Sequence, residues 1–281
     1  MSRFRPAPDP SPFRRIAASM WKAPRDPSIY GFVDIDVTET LAFIDAFRAQ
    51  TGQRLTMTHV VSHAVAEAFA AHPDLNAKVR WGGQVTLRER VDLVISVATG
   101  GGRDLSAARV NDADQLSLEA LVAATERQVT RTRQGDDEDY ERSRNVFSRL
   151  PFWCARPLLW LTDLVSNELQ LDLPKLGMPV DPFGTAIITN VGSFGIDTAF
   201  APFVPLGRAP MLLLITEVKP RPMVIEGEVV ARPVLRLCAT FDHRVVDGAA
   251  AGKLSTFLTE RIAHPRHEGI TLPTTRVRRA A

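Results

Sequence analysis

Two periods run through this chain of 281 residues. Stretches in which apolar residues return every three or four positions predict amphipathic helices, and stretches that alternate or run apolar predict strands. Helical spacing is found through Phe13, Ile16, Ala17 and Met20 after Ser11-Pro12, through Leu41, Ile44 and Phe47 after a capping Thr38, over Thr58 to Ala71, over Leu116 to Arg131, and through Leu254, Phe257, Leu258 and Ile262. Gly52 closes the second of these and Pro73 stops the third, as expected of a left-handed cap and a residue that cannot continue a helix. Strands are predicted over Ile29 to Val37, Val91 to Ala98, Gly184 to Asn190, Pro210 to Val218 and Val234 to Thr240. Gly82-Gly83 and Glu226-Gly227 each sit between extended runs and predict hairpins.

One stretch breaks the pattern. Leu150 to Leu173 is dense in large apolar residues, yet Pro157, Arg156 and Asp163 interrupt it. It falls short of the roughly twenty uninterrupted apolar residues of a membrane span and lacks the Lys/Arg face of an interfacial helix, so it reads as a lid or packing element and membrane association is not expected. Elsewhere strands and helices alternate, with hairpins between, which predicts an α/β sandwich on a mixed sheet.

Composition changes this picture little. The chain is 45% hydrophobic and 23% charged with a net charge of +2, an ordinary globular balance with no electrostatic case for nucleic acid. The excess arginines gather at the ends, and residues 1–10 and 264–281 read as tails. Cys154 and Cys238 are too few for a disulfide framework or a zinc site. The first residues lack the apolar run of a signal peptide, so a cytoplasmic protein is the default expectation.

Much familiar chemistry is missing. There is no phosphate loop, and Gly192-Ser193-Phe194-Gly195 lacks the third glycine and the helix of a dinucleotide fingerprint. His59 and His63 have zinc-binding spacing but neither an intervening Glu nor an evident third ligand, so no metal is expected. What stands out is Phe241-Asp242-His243-Arg244-Val245-Val246-Asp247-Gly248, between a predicted strand and the last helix. It places His243 at a strand end and Asp247 at a helix N-cap. Alone, the motif reads first as a surface histidine beside an ordinary cap. As a base, an imidazole of pKa about 6.5 can accept a proton from a thiol of pKa about 8.5. The thiolate can then attack a thioester carbonyl, with a Ser or Thr hydroxyl donating to the oxyanion.

The residues 241–248 resemble the Asp-His-Arg-x-x-Asp-Gly signature of the 2-oxo acid dehydrogenase acyltransferase catalytic domains, which share the chloramphenicol acetyltransferase-like fold. Collinear stretches strengthen the resemblance: Arg14-Arg15-Ile16-Ala17 with Met20, Val33-Asp34-Ile35-Asp36-Val37-Thr38, Pro73-Asp74-Leu75-Asn76-Ala77, and the Gly184 to Gly195 strand and turn. It implies an α/β two-layer sandwich over 11–263, a mixed β-sheet with packed helices. It also implies an acyl-coenzyme A substrate, His243 as general base, Thr189 as oxyanion donor, and Asp247 orienting the histidine loop, with Arg14 or Arg15 as ion-pair candidates. Asn190, Gly192 and Arg244 become substrate-binding candidates. The resemblance further implies a homotrimer with sites between subunits. Since no lipoyl domain precedes the catalytic part, the expected lipoyl group would come from a separate, lipoyl-bearing protein. The sequence departs from the family where Gly101-Gly102-Arg103-Asp104-Leu105-Ser106 replaces Gly-Leu-x-x-Pro-Val, and where 136–181 reads as an insertion. The other reading of the same residues is a non-catalytic trimeric scaffold or coenzyme A-binding protein.

Overall fold

The alternating stretches form a sheet and the helical ones pack on it. The structure, a computed structural model, describes residues 26–99, 104–134, 152–173, 180–204, 207–267 and 270. Its strands are β1 (Ser28–Asp36), β2 (Ala77–Val79), β3 (Val85–Leu87), β4 (Leu93–Thr99), β5 (Asp104–Val110), β6 (Ala186–Asn190), β7 (Met211–Ile215), β8 (Lys219–Ile225) and β9 (Glu228–Asp242). Its helices are α1 (Thr38–Thr51), α2 (Met57–Ala71), α3 (Leu118–Gln134), α4 (Phe152–Asp163) and α5 (Gly248–Ala263). Strands β2 and β3 form the first predicted hairpin, and Glu226 and Gly227, both at positive φ, form the second between β8 and β9.

The main sheet runs β1-β9-β7-β6-β4-β5, with β8 on the outer half of β9. β6 is parallel to both neighbours, β4 and β7, while β9 is antiparallel to β1, β7 and β8. The sheet is therefore mixed, as its connections require: hairpins join antiparallel strands, and longer crossovers join parallel ones.

Period-two alternation sorts the side chains onto two faces. Ile188, Leu213, Leu235 and Leu237 lie on one face against Val65 and Phe69 of α2, Leu121 of α3 and Leu254 and Leu258 of α5. Ile187, Leu212, Leu214 and Cys238 lie on the other, under Phe183, Ala199, Ala201 and Phe203. Helices on one face of a mixed sheet give the expected two-layer sandwich. Phe43, Ile44 and Phe47 of α1 form a satellite core with Leu55, Val60 and Leu118.

Helix starts differ from the sequence reading by a residue or two. Thr38 lies inside α1, and the residue that satisfies its amide is Asp36, whose Oδ1 accepts from Thr38 N at 2.9 Å and from its hydroxyl. A carboxylate two residues upstream makes the local turn that the hydroxyl was expected to make. α2 begins one residue before Thr58, capped by Thr56. There His59 closes a capping box, Thr56 N donating to His59 Nδ1 at 3.2 Å. The predicted first helix, Gly101 to Arg103 of the departing stretch, and residues 136–151 and 174–179 of the insertion lie outside the described residues. Among those described, no helix is long and apolar enough to cross a membrane.

Candidate active site at the end of strand β9

β9 carries its ladder to the histidine itself. Asp242 N donates to Pro210 O at 3.0 Å on one side, and His243 N donates to Pro27 O at 2.9 Å on the other. The chain then turns, with Val245 N and Val246 N both donating to Asp242 O at 2.9 Å, and α5 begins. His243 is exposed on this turn. Its Nδ1 lies 3.2 Å from Val246 O, and because a carbonyl only accepts, Nδ1 carries the proton in the neutral ring. Nε2 is left with the lone pair, the state a general base needs.

The two carboxylates of the motif have different partners. Asp242 is buried and binds the guanidinium of Arg244 in a fork, Nε to Oδ1 at 2.9 Å and Nη2 to Oδ2 at 2.6 Å. That pairing raises the Arg244 pKa further above its ordinary value. Arg244, expected on substrate, thus braces the turn with two of its donors while half its side chain stays exposed. Asp247 caps α5, its Oδ1 accepting from Ala250 N at 2.8 Å. It orients the start of that helix, and Arg14 and Arg15, its expected partners, lie outside the described residues.

Thr189 is at the far end of the sheet. It pairs with Leu214, and Leu214 with Cys238, five residues before His243. Five residues of strand rise and two strand spacings separate the two Cα positions by about 19 Å. One chain therefore does not bring this hydroxyl to that imidazole.

Asn190 and Gly192 build the turn after Thr189. Asn190 Nδ2 donates to Thr58 Oγ1 of α2 at 2.9 Å, and its Oδ1 accepts from Gly192 N at 3.0 Å. A Cβ on Gly192 would stand 2.5 Å from Thr216 O, so only glycine lets the turn approach β7's end. Both residues, expected on substrate, make these internal contacts. Nothing local in the sequence marks Thr58 as the partner of a residue 132 positions away.

The histidines of α2 serve structure. Burial holds the His59 pKa down at about 4, so it is neutral. His63 Nδ1 lies 3.8 Å from Glu67. Among the described residues no three His, Cys, Asp or Glu side chains are grouped to hold a metal.

A mixed-sheet sandwich with a histidine at the end of its longest strand defines the class: the chain matches the family of 2-oxoacid dehydrogenases acyltransferase catalytic domains over residues 11–147 and 183–268. It belongs to that family, and the match is interrupted across the stretch that holds α4. Among curated relatives, the lipoamide acyltransferase component of the branched-chain alpha-keto acid dehydrogenase complex of Bacillus subtilis is 23% identical over 85% of this chain and 48% of its own. The dihydrolipoyllysine-residue acetyltransferase component of the pyruvate dehydrogenase complex of Corynebacterium glutamicum is 29% identical over 80% of this chain and 28% of its own. The chain thus spans less than half the length of these relatives. A probable dihydrolipoamide acetyltransferase from Listeria monocytogenes superposes with a TM-score of 0.65 at 19% identity, covering 96% of this chain and 99% of its own. The Azotobacter vinelandii dihydrolipoamide acetyltransferase, in which a serine, a histidine and an asparagine were investigated for catalytic roles, superposes at 0.63 with 22% identity, covering 92% and 97%.

Proposed function

We propose that this protein is a coenzyme A-dependent acyltransferase whose reaction centre combines His243 of one copy with Thr189 of another. The observation that carries the reading is the 3.2 Å contact of His243 Nδ1 with Val246 O on an exposed strand-end turn, which spends Nδ1 on the protein and leaves Nε2 to act as the base. Nε2 takes the proton of an acceptor thiol, and the thiolate attacks the carbonyl of an acyl thioester. The Thr189 hydroxyl donates to the tetrahedral oxyanion. Collapse expels the second thiolate, which recovers the proton from the imidazolium, so the step is balanced without any enzyme-bound acyl group. Coenzyme A is one thiol; a dihydrolipoyl group on a separate protein is the other expected one, in keeping with the lipoamide acyltransferase relative.

The separation of Thr189 from His243 in one chain supports a site shared between copies, and a trimer is the assembly we propose. A solved relative forms the cubic core of a pyruvate dehydrogenase complex, so assembly around this fold has precedent.

The test is complementation. His243→Ala and Thr189→Val are each expected to lower acyl transfer from acetyl-coenzyme A by at least about a hundredfold for the base and about tenfold or more for the donor. Unfolded together and reassembled, they should recover about a quarter of wild-type activity, because random assortment pairs an intact His243 with an intact Thr189 at that fraction of interfaces. Wild-type inertness toward every acyl-coenzyme A, with assembly intact, would instead favour a scaffold. An active wild type with two impaired variants whose mixture regains nothing would refute the shared site.

A further inference from the structure

We propose that Arg208 is a positioning residue: it locks the inserted element, residues 152–173, to the sheet end that carries His243, making it a fixed wall beside the approach to the histidine. The inference rests on the acyltransferase reading and adds a residue to it. Arg208 Nη2 lies 2.5 Å from Asp163 Oδ2 at the end of α4, and Nη1 binds Glu168 Oε1 in the following turn. The three side chains are 9%, 5% and 11% exposed. The same two carboxylates hold the hairpin turn between β2 and β3. Glu168 accepts from Trp81 N at 2.7 Å and from Arg80 Nε at 3.3 Å, and Asp163 accepts from Trp81 Nε1 at 3.3 Å. Trp81 then stacks on Trp160 of α4, with ring centroids 5.5 Å apart.

The backbone of Arg208 lies two residues before the strand contact that borders the histidine. Its carbonyl accepts from Arg88 Nη2 at 3.1 Å, and Arg88 forks onto Asp181. Two residues on, Pro210 O takes the amide of Asp242, next to His243. Arg208 itself has φ 50°, a left-handed conformation uncommon for a residue with a side chain. The backbone thus adopts a disfavoured geometry at the residue whose guanidinium ties the two parts together. A hinged lid would have to strand three buried charges each time it opened, and charges left unpaired in the interior are strongly disfavoured. The element's outer surface, with Leu159, Trp160 and Leu161 exposed, therefore stays where Arg208 puts it.

The experiment compares Arg208→Met, Arg208→Lys and the double variant Asp163→Asn/Glu168→Gln with the wild type. Readouts are the near-ultraviolet circular dichroism of the stacked indoles, chymotrypsin cleavage at residues 158–161, and KM and kcat for acyl-coenzyme A and thiol acceptor. In Arg208→Met the indole signal should fall and cleavage quicken. KM for one substrate should rise about tenfold while kcat stays within about twofold, the signature of lost positioning and not lost chemistry; Arg208→Lys should restore part of both. An active variant with a loosened element and unmoved KM values would overturn the inference, as would an element that does not loosen. If Arg208→Met does not fold, the double variant, which keeps the arginine, decides by the same criteria. A wild type inert toward all acyl donors marks failure of the acyltransferase reading and takes the positioning role with it, whereas an active wild type with unmoved KM in the variants marks failure of this inference alone.

Discussion

Gly192→Ala tests whether the turn after Thr189 is shaped by its approach to the backbone of the neighbouring strand. The added Cβ would lie 2.5 Å from Thr216 O, 2.6 Å from its carbonyl carbon and 2.7 Å from Glu217 N. All three are backbone atoms, so no side-chain rotation relieves the contact. Overpacking of this kind costs about 1–3 kcal/mol. If the turn shifts, the Gly192 N to Asn190 Oδ1 bond is lost at roughly 1 kcal/mol more. The sum, about 2–4 kcal/mol, should lower Tm by roughly 5–15 °C in a chain of this size. The control is Gly195→Ala in the same loop. There φ is +74° but the nearest atom to a Cβ is a flexible Glu217 oxygen at 3.7 Å, leaving only a left-handed penalty of about 1–2 kcal/mol. Thermal melts followed by circular dichroism rank the two variants, and acyl-transfer assays should show Gly192→Ala losing more activity. A Gly192→Ala protein melting within about 2 °C of wild type, or above Gly195→Ala, would refute the reasoning.

Three further outcomes are expected. A double-mutant cycle between Asn190→Ala and Thr58→Val, read by urea denaturation, should show a coupling of about 0.5–1.5 kcal/mol from their 2.9 Å hydrogen bond; a coupling of zero would mean that α2 does not hold the Thr189 turn. Burial alone would raise the Asp181 pKa, but hydrogen bonds from Arg88 and the charges of Lys78 and Arg109 outweigh it and leave the pKa below its ordinary value. The stability this carboxylate contributes is full above the unfolded pKa of about 4 and is lost as pH falls through the lower folded one. The urea midpoint should therefore drop below about pH 4, and less steeply in Asp181→Asn; equal slopes would sink the assignment. His59→Ala removes one half of the Thr56 capping box and leaves a core void, and a loss of about 1–3 kcal/mol is expected, with no change in the bound-metal content measured by mass spectrometry.

Much of this architecture was legible because strand and helix periods are local. The alternation in β9, the apolar run of β7 and the Leu254, Leu258 and Ile262 stripe of α5 each declare their element without reference to anything distant. Caps were less legible, since Asp36 and Thr38 both qualify and only the backbone path decides which one serves α1. The site was half legible. His243 and its flanking aspartates stood out by spacing, but the roles of Asn190, Gly192 and Arg244 depended on partners that adjacency does not reveal: Thr58, the backbone of Thr216, and Asp242 in its buried pocket. The distance between Thr189 and His243 follows from strand order and direction, which place β7 between β6 and β9. The Arg208 cluster was invisible for a similar reason, joining residues 40 to 88 positions apart.

The hydrogen bond from His243 N to Pro27 O has a dynamic consequence. Among the described residues β1 lies at the margin of the sheet, and Pro27 immediately precedes its first residue, so the amide of His243 is clipped to an edge strand. Marginal strands open at free energies well below global unfolding. Each such opening would release the imidazole-bearing turn from one side while the Asp242 to Pro210 bond holds the other. Amide exchange at His243 should then track the opening of β1 and not that of the core strands. The readiness of the histidine would be governed by how firmly β1 is held.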